Sequence, residues 1–237
     1  RQSEKELVKK SDVIFTICEK LSEYFYDNNN NIHTLSYGVN TAAFQIESPL
    51  NSEIPIAILD IKTKNKPIIG YVGGLHQQVN FELLAESVKL KEDWQWVFVG
   101  PIQERIKNLK HLPNTSFLGH QPHQDLKHYI NSFDVCTIPY SNNPFTQTVV
   151  PVKLNEYLAL GKPVVSTNIP AVREFNETHQ VLDICEHNVA DYIYKIEKCL
   201  KENQTDELIE KRKAVSKQYD WQTHLDAICE IIEAVKK

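Results

Sequence analysis

The chain has 237 residues, 41% of them apolar and 24% charged, ordinary usage for a globular protein that buries a core without disulfides or metals. Its formal charge of −5 and pI near 6.0 argue against a nucleic-acid partner, which demands a basic face. No apolar run approaches the roughly 18 residues of a membrane span, and the start lacks the shape of a signal peptide. Five cysteines, an odd count with no C-x-x-C pair, are expected to be scattered core thiols in a reducing compartment. Three N-x-[ST] sequons, beginning at Asn114, Asn176 and Asn203, read as chance matches. There is no methionine, and Arg1 opens a helix-like stretch, so the expectation is a chain that begins inside a longer protein.

In chain order, a charged helix leads into a short strand, Val13–Ile17, and a helix from about Cys18 to Asp27. The polar tract Asn28–Asn31 reads as a loop and Ile32–Leu35 as a second strand. Residues 1–36 are expected to be the remnant of a preceding domain. Residues 37–66 read as a linker with one turn of helix near Ile56–Ile61. Residues 67–237 are the main domain, where apolar runs alternate with helix-period segments. Candidate strands are Ile68–Val72, Gln95–Gly100, Thr115–Leu118, Val135–Pro139, Pro163–Ser166 and His179–Leu182. Between the first two, Phe81, Leu84, Ala85 and Val88 fall on one helical stripe. Leu126, Tyr129 and Ile130 mark a second helix, and Leu154, Tyr157 and Leu158 a third. Strands spaced by such helices predict an α/β fold, a Rossmann-like parallel sheet with helices on both faces. Helices near Val189–Leu200 and Asp206–Ser216 follow. In the last one, Asp220 caps a face of Trp221, Leu225, Ile228, Ile232 and Val235.

Ligands of such sheets sit at the carboxyl ends of the strands. The loop after the first central strand, Gly73-Gly74-Leu75-His76-Gln77-Gln78-Val79-Asn80, ends at a plausible helix cap. Its glycines allow backbone N–H groups to approach an anion, although a plain tight turn fits equally. No G-x-G-x-x-G or Walker sequence is present, which weakens dinucleotide and P-loop readings. In Pro151-Val152-Lys153-Leu154-Asn155-Glu156, proline suits a first helical turn, and Lys153 and Glu156 stand three apart on one face. They are either a surface ion pair or a functional pair, glutamate for ribose hydroxyls and lysine for a diphosphate. Tyr140, Asn142 and Asn143 follow a central strand and either touch a sugar or cap their own loop. His76 reads as solvated unless it donates to a phosphate, and His120, His123 and His128 as surface residues outside metal-ligand spacing. Trp94, Trp96 and Trp221 read as core or packing aromatics.

A set of motifs in fixed order carries a resemblance. Ser11-Asp12-Val13-Ile14-Phe15-Thr16, Tyr37-Gly38-Val39-Asn40-Thr41-Ala42-Ala43-Phe44 and Ile69-Gly70-Tyr71-Val72-Gly73-Gly74-Leu75 come first. Phe98-Val99-Gly100-Pro101, Phe117-Leu118-Gly119 and Phe133-Asp134-Val135-Cys136-Thr137-Ile138-Pro139-Tyr140 follow. The last, Glu156-Tyr157-Leu158-Ala159-Leu160-Gly161-Lys162-Pro163-Val164-Val165, is the most specific. Together they resemble GT-B glycosyltransferases of the glycogen-synthase-like, retaining kind, particularly bacterial enzymes for polysaccharides such as teichuronic acid. The likeness is mainly to the carboxyl-terminal, donor-binding domain, with residues 1–36 as remnant of the acceptor domain and 37–66 as hinge.

The resemblance implies transfer of a sugar from a nucleoside-diphosphate sugar to a hydroxyl, with retention and without a metal or other cofactor. Catalysis then falls to Lys153, as charge for the leaving diphosphate, and Glu156, at the ribose. The implied donor-binding set adds Gly73 and Gly74 through backbone N–H, His76, His120, Tyr140, Asn143, Thr148, Pro151 and Val152. Departures are plain: many members carry Arg where Gly74 stands, Lys where Val79 stands and Glu where Thr148 stands. A glycan or lipid-linked acceptor is expected to meet the absent domain. The implied location is cytoplasmic, with peripheral membrane association of the full protein where the acceptor is lipid-linked. Two other readings stay open, a nucleotide-sugar epimerase of the same layout and a degenerate, non-catalytic interaction domain.

Overall fold

The computed structural model describes residues 2–46, 53–104, 106–202 and 205–235. It opens with helix α1 (Gln2–Lys10), strand β1 (Ile14–Thr16), helix α2 (Glu19–Phe25) and strand β2 (Ile32–Thr34). β1 and β2 pair in parallel, Ile14 opposite Ile32, in a small sheet of their own. The asparagine tract is built into this unit. The Asn29 amide donates to the carbonyls of Val8 and Ser11 at 2.9 and 2.8 Å, satisfying the end of α1.

After α3 (Ile56–Lys62) comes the main sheet: β3 (Ile68–Val72), β4 (Gln95–Val99), β5 (Thr115–Phe117), β6 (Val135–Ile138), β7 (Val164–Thr167) and β8 (Asp183–Cys185). All are parallel, in the order β5-β4-β3-β6-β7-β8. The connecting helices are α4 (Phe81–Leu90), α5 (Lys107–Lys110), α6 (Leu126–Asn131), α7 (Lys153–Ala159), α8 (Pro170–His179) and α9 (Val189–Glu202). Right-handed crossovers put α4 and α5 on one face, where α9 joins them, and α6 and α7 on the other, where α10 (Asp206–Gln218) packs on α7. Every residue of β3, β4, β6 and β7 is buried, as strands covered on both faces must be. The doubly wound sheet expected from the alternation of strands and helices is therefore present.

One strand lies elsewhere than the sequence suggests. His179–Leu182 was expected as strand, but α8 runs through His179 and Gln180 caps it with φ of 50°. The Asn176 side chain then accepts from the N–H groups of Val181 and Leu182, so β8 begins only at Asp183.

The final helix, α11 (Trp221–Val235), starts where the chain recrosses the linker. Val39 donates to the Tyr219 carbonyl at 2.8 Å and accepts from the Trp221 N–H at 3.1 Å. Asp220 caps α11 as expected, accepting from the Gln222 N–H at 2.9 Å, and its other oxygen takes the N–H and hydroxyl of Thr41. A Cβ on Gly38 would sit 2.7 Å from the Trp221 ring, so glycine is needed for this approach.

Candidate functional site

The sheet grows in one direction from β3 to β5 and in the other from β6 to β8, so its switch point lies between β3 and β6. Those two strands pair through Ile69–Val135 and Gly70–Cys136. Nearer their carboxyl ends they part, and the Val72 N–H takes the Tyr157 hydroxyl of α7 as acceptor at 2.8 Å. The loops beyond rejoin over the gap: Asn80 N–H donates to the Pro139 carbonyl and Ser141 N–H to the Gln78 carbonyl. Asn80 also caps α4 through the Leu83 N–H, as expected.

The glycine loop is stitched sideways across the strand ends. Gly73 has φ of 132° and its N–H donates to the Val99 carbonyl at 2.8 Å, while Gly100 (φ 143°) donates to the Gly119 carbonyl at 2.7 Å. A Cβ on Gly100 would lie 2.2 Å from the Gly73 oxygen, so the loops meet this closely only because Gly100 lacks one. The expectation that Gly73 offers its N–H to a ligand is thereby corrected, since that group is already committed. The Gly74 N–H has no partner among the described residues.

Lys153 stands at the start of α7 and turns into the gap. Its ammonium donates to the hydroxyls of Tyr140 at 2.7 Å and Tyr71 at 3.1 Å, and lies over both rings, 5.0 and 4.4 Å from their centroids. No carboxylate pairs with it among the described residues. Burial opposes the charge, but the two phenol oxygens outweigh that and raise the lysine pKa, so the group is a cation throughout the physiological range. Burial pushes the Tyr71 phenol up to about 12. For Tyr140 burial acts in the same direction, and the neighbouring ammonium reverses it, leaving the phenol lowered. A Cβ on Gly73 would approach the ammonium to 2.8 Å, so this glycine keeps the charge uncovered.

Glu156 does not pair with Lys153, which removes the surface ion pair from the alternatives. Its Oε1 lies 3.1 Å from His123 Nε2, in the loop beyond β5, and its side chain is only 12% exposed against 65% for His123. The His123 ring meets Phe44 of the linker edge-on at 5.5 Å. Lys153 thus faces the β3–β6 gap and Glu156 the loop after β5, both beyond the strands' carboxyl ends.

The remaining expected residues are divided. His76 is half-buried rather than solvated; Gln78 donates to its Nε2 at 2.9 Å, and burial, then the Lys153 charge, lowers its pKa. His120 is exposed after Gly119. Asn143 caps its own turn, accepting from the N–H groups of Phe145 and Thr146 at 3.0 Å, as in the capping alternative. The Thr148 carbonyl faces the Cys18 thiol of the β1–β2 unit at 3.9 Å. Pro151 is buried, lining with Leu154 and Asn155 a cavity of about 200 Å³ between that unit and α7–α8. Val152 is exposed. A larger cavity of about 560 Å³, lined by Phe44, Asn131, Gly161 and Lys162 among others, lies toward the far end of α7 from Lys153. Sequence reasoning missed Tyr71 and His123; a tyrosine inside a fully buried central strand was the available signal, because its hydroxyl requires a partner. Trp94 and Trp96 are core, at 3% and 1% exposure, whereas Trp221 is 44% exposed.

Comparison with known proteins places this geometry. Residues 66–202 match the family described as "Glycosyl transferases group 1". Over 194 residues the chain is 28% identical to a Bacillus subtilis protein named as the teichuronic acid biosynthesis glycosyltransferase TuaH, covering 80% of this chain and 48% of that protein. Among solved structures, HepE of Anabaena in complex with UDP superposes with a TM-score of 0.77 at 15% identity, covering 94% of this chain and 64% of that one. Sucrose-phosphate synthase of Thermosynechococcus elongatus gives 0.76 at 16%, covering 98% and 60%. The chain thus spans about half the length of the TuaH relative and less than two thirds of these two structures.

Proposed function

The chain belongs to the group 1 glycosyl transferases, and from that premise we propose that it binds the donor of a glycosyltransferase, a nucleoside-diphosphate sugar, for transfer to a hydroxyl acceptor in polysaccharide biosynthesis. The observation that carries this reading is the Lys153 ammonium, held by two phenols and by no carboxylate at the switch point of the sheet. An enclosed cation in that place is suited to the charge that develops on a departing diphosphate. Glu156, one helical turn away and little exposed, is suited to the ribose hydroxyls, and the Gly74 N–H to a phosphate oxygen.

HepE structures that hold UDP and UDP-glucose make a uridine donor the first to test. Retention at the anomeric carbon and a leaving group balanced by Lys153 rather than a metal are parts of the same proposal. Family membership favours transfer over the epimerase and the non-catalytic readings. The small sheet of β1 and β2, separate from the main one, supports assigning residues 1–36 to an acceptor-side unit and 37–66 to a hinge. No described helix is long and apolar enough to cross a membrane. A lipid-linked acceptor reached by peripheral association remains part of the proposal, as does a cytoplasmic location.

Calorimetric titration of the chain with UDP-glucose and other nucleoside-diphosphate sugars tests the reading. We expect saturable binding to at least one of them, weakened at least tenfold, about 1.4 kcal/mol, by Lys153→Ala. Heats of dilution alone across the whole set of donors would overturn it.

A further inference from the structure

We propose that Tyr71 and Tyr140 are positioning residues that keep the Lys153 ammonium uncompensated and aimed at the second phosphate of the donor. The inference rests on the donor reading above and adds two residues to it. A lysine ammonium has three donors, and the two phenols occupy two of them, at 3.1 and 2.7 Å. The third has no acceptor among the described residues, and Gly73 stands beside the nitrogen, where a Cβ would come within 2.8 Å.

The phenols are themselves fixed. Tyr71 donates to the Gly74 carbonyl at 3.0 Å, tying the lysine's support to the glycine loop. Tyr140 is 3% exposed, receives the Gln78 side chain, and has its own carbonyl held by the Thr167 hydroxyl at 2.7 Å. A carboxylate in either place would hold the ammonium more strongly but would cancel its charge. Neutral oxygens and ring faces hold it and leave the charge for an incoming anion.

The ionisable groups around Lys153 agree with this. β3 contributes Tyr71, the glycine loop His76, the loop after β6 Tyr140, and α7 itself Tyr157 and Glu156. Of the carboxylates nearby, Glu104 acts on His76 from the loop after β4, and Glu156 is turned to His123. With one phenol gone, burial is opposed by a single oxygen, and the lysine pKa moves down.

The test compares nucleoside diphosphate and monophosphate binding by wild type, Tyr71→Phe and Tyr140→Phe at about pH 7. The probes are UDP and UMP, with ADP and GDP and their monophosphates in parallel. Each Phe variant keeps its ring, so either one suffices should the other fold poorly. Relative to wild type, a Phe variant is expected to lose about tenfold in diphosphate affinity, as one charge-supporting hydrogen bond no longer aims the ammonium. Monophosphate affinity should stay at the wild-type value. Wild-type diphosphate affinity in both Phe variants, or equal losses for mono- and diphosphate, would overturn the inference while leaving the donor reading standing. Failure of wild type to bind any of the diphosphates would overturn both.

Discussion

A glutamate three residues beyond a lysine on one helix ordinarily pairs with it. Here Lys153 goes to two tyrosines and Glu156 to His123, because α7 begins beneath the gap between β3 and β6 and its face reaches toward the loop after β5. The spacing made both residues legible as candidates. Their partners were not legible, since Tyr71, Tyr140 and His123 come from three separate strand ends that only the sheet order brings together. If Glu156 meets ribose, Glu156→Ala loses two charge-assisted hydrogen bonds, about 3 kcal/mol or roughly a hundredfold in donor affinity. A 2′,3′-dideoxyribose analogue should lose far less, and equal losses in a calorimetric comparison would sink the assignment. Gly74 gives a second check in the same assay. A Cβ there meets the His76 ring at 2.7 Å, so Gly74→Val should displace that ring into the loop and abolish diphosphate binding while the protein stays folded. Undiminished binding by a folded Gly74→Val protein would take this loop out of the site.

Elements were placed by their period, and misplaced where a side chain overrode it. The four strands β3, β4, β6 and β7 were legible because buried parallel strands are short apolar runs bounded by turn residues. β8 was not, because the αL residue that ends α8 is Gln180 rather than the usual glycine, and the Asn176 side chain imitates a strand partner for Val181 and Leu182. The opening between β3 and β6 was equally hidden. It depends on Tyr157, a helix residue that reads as core and is fully buried, accepting the Val72 N–H where β6 has turned away. Burial raises this phenol well above its usual range, so it stays neutral at any working pH. Tyr157→Phe would leave the Val72 N–H buried without an acceptor, which costs about 1–3 kcal/mol. Chemical denaturation should show that loss, with the strand ends around Val72 exchanging their amide protons faster. A loss below about 0.5 kcal/mol would mean that β3 and β6 close on each other when the hydroxyl is gone.

Across the whole molecule the passage from the small sheet to the large one and the passage from α10 to α11 are bound side by side. Residues 38–41 of the linker lie along 219–221, joined through Val39 to Tyr219 and Trp221 and through Thr41 to Asp220. Asn155 of α7 donates to the Tyr37 carbonyl at 3.0 Å, so the helix that carries Lys153 and Glu156 is anchored to the same node. The sequence showed Asp220 as a helix cap and Tyr37–Phe44 as a hinge, but not that the two meet, since 179 positions separate Thr41 from Asp220. The hydrogen bonds from Thr41, with that from Gln222, hold the Asp220 carboxyl below its usual pKa. A carboxylate depressed in the folded state stabilises it above the unfolded pKa, and that contribution disappears as pH falls through the folded value. Wild type should therefore melt above Asp220→Asn at pH 6, and the gap should narrow as the pH falls below about 4, where the aspartate of the unfolded chain is already protonated. Thr41→Val, which removes the hydroxyl donor and leaves the carboxylate, should melt below wild type at pH 6 and converge with it over the same acid range. Melting temperatures whose differences stay constant from pH 6 to 3 would show that the Asp220 charge supports neither α11 nor the linker, and that the two passages are held together by Val39 and the Trp221 ring.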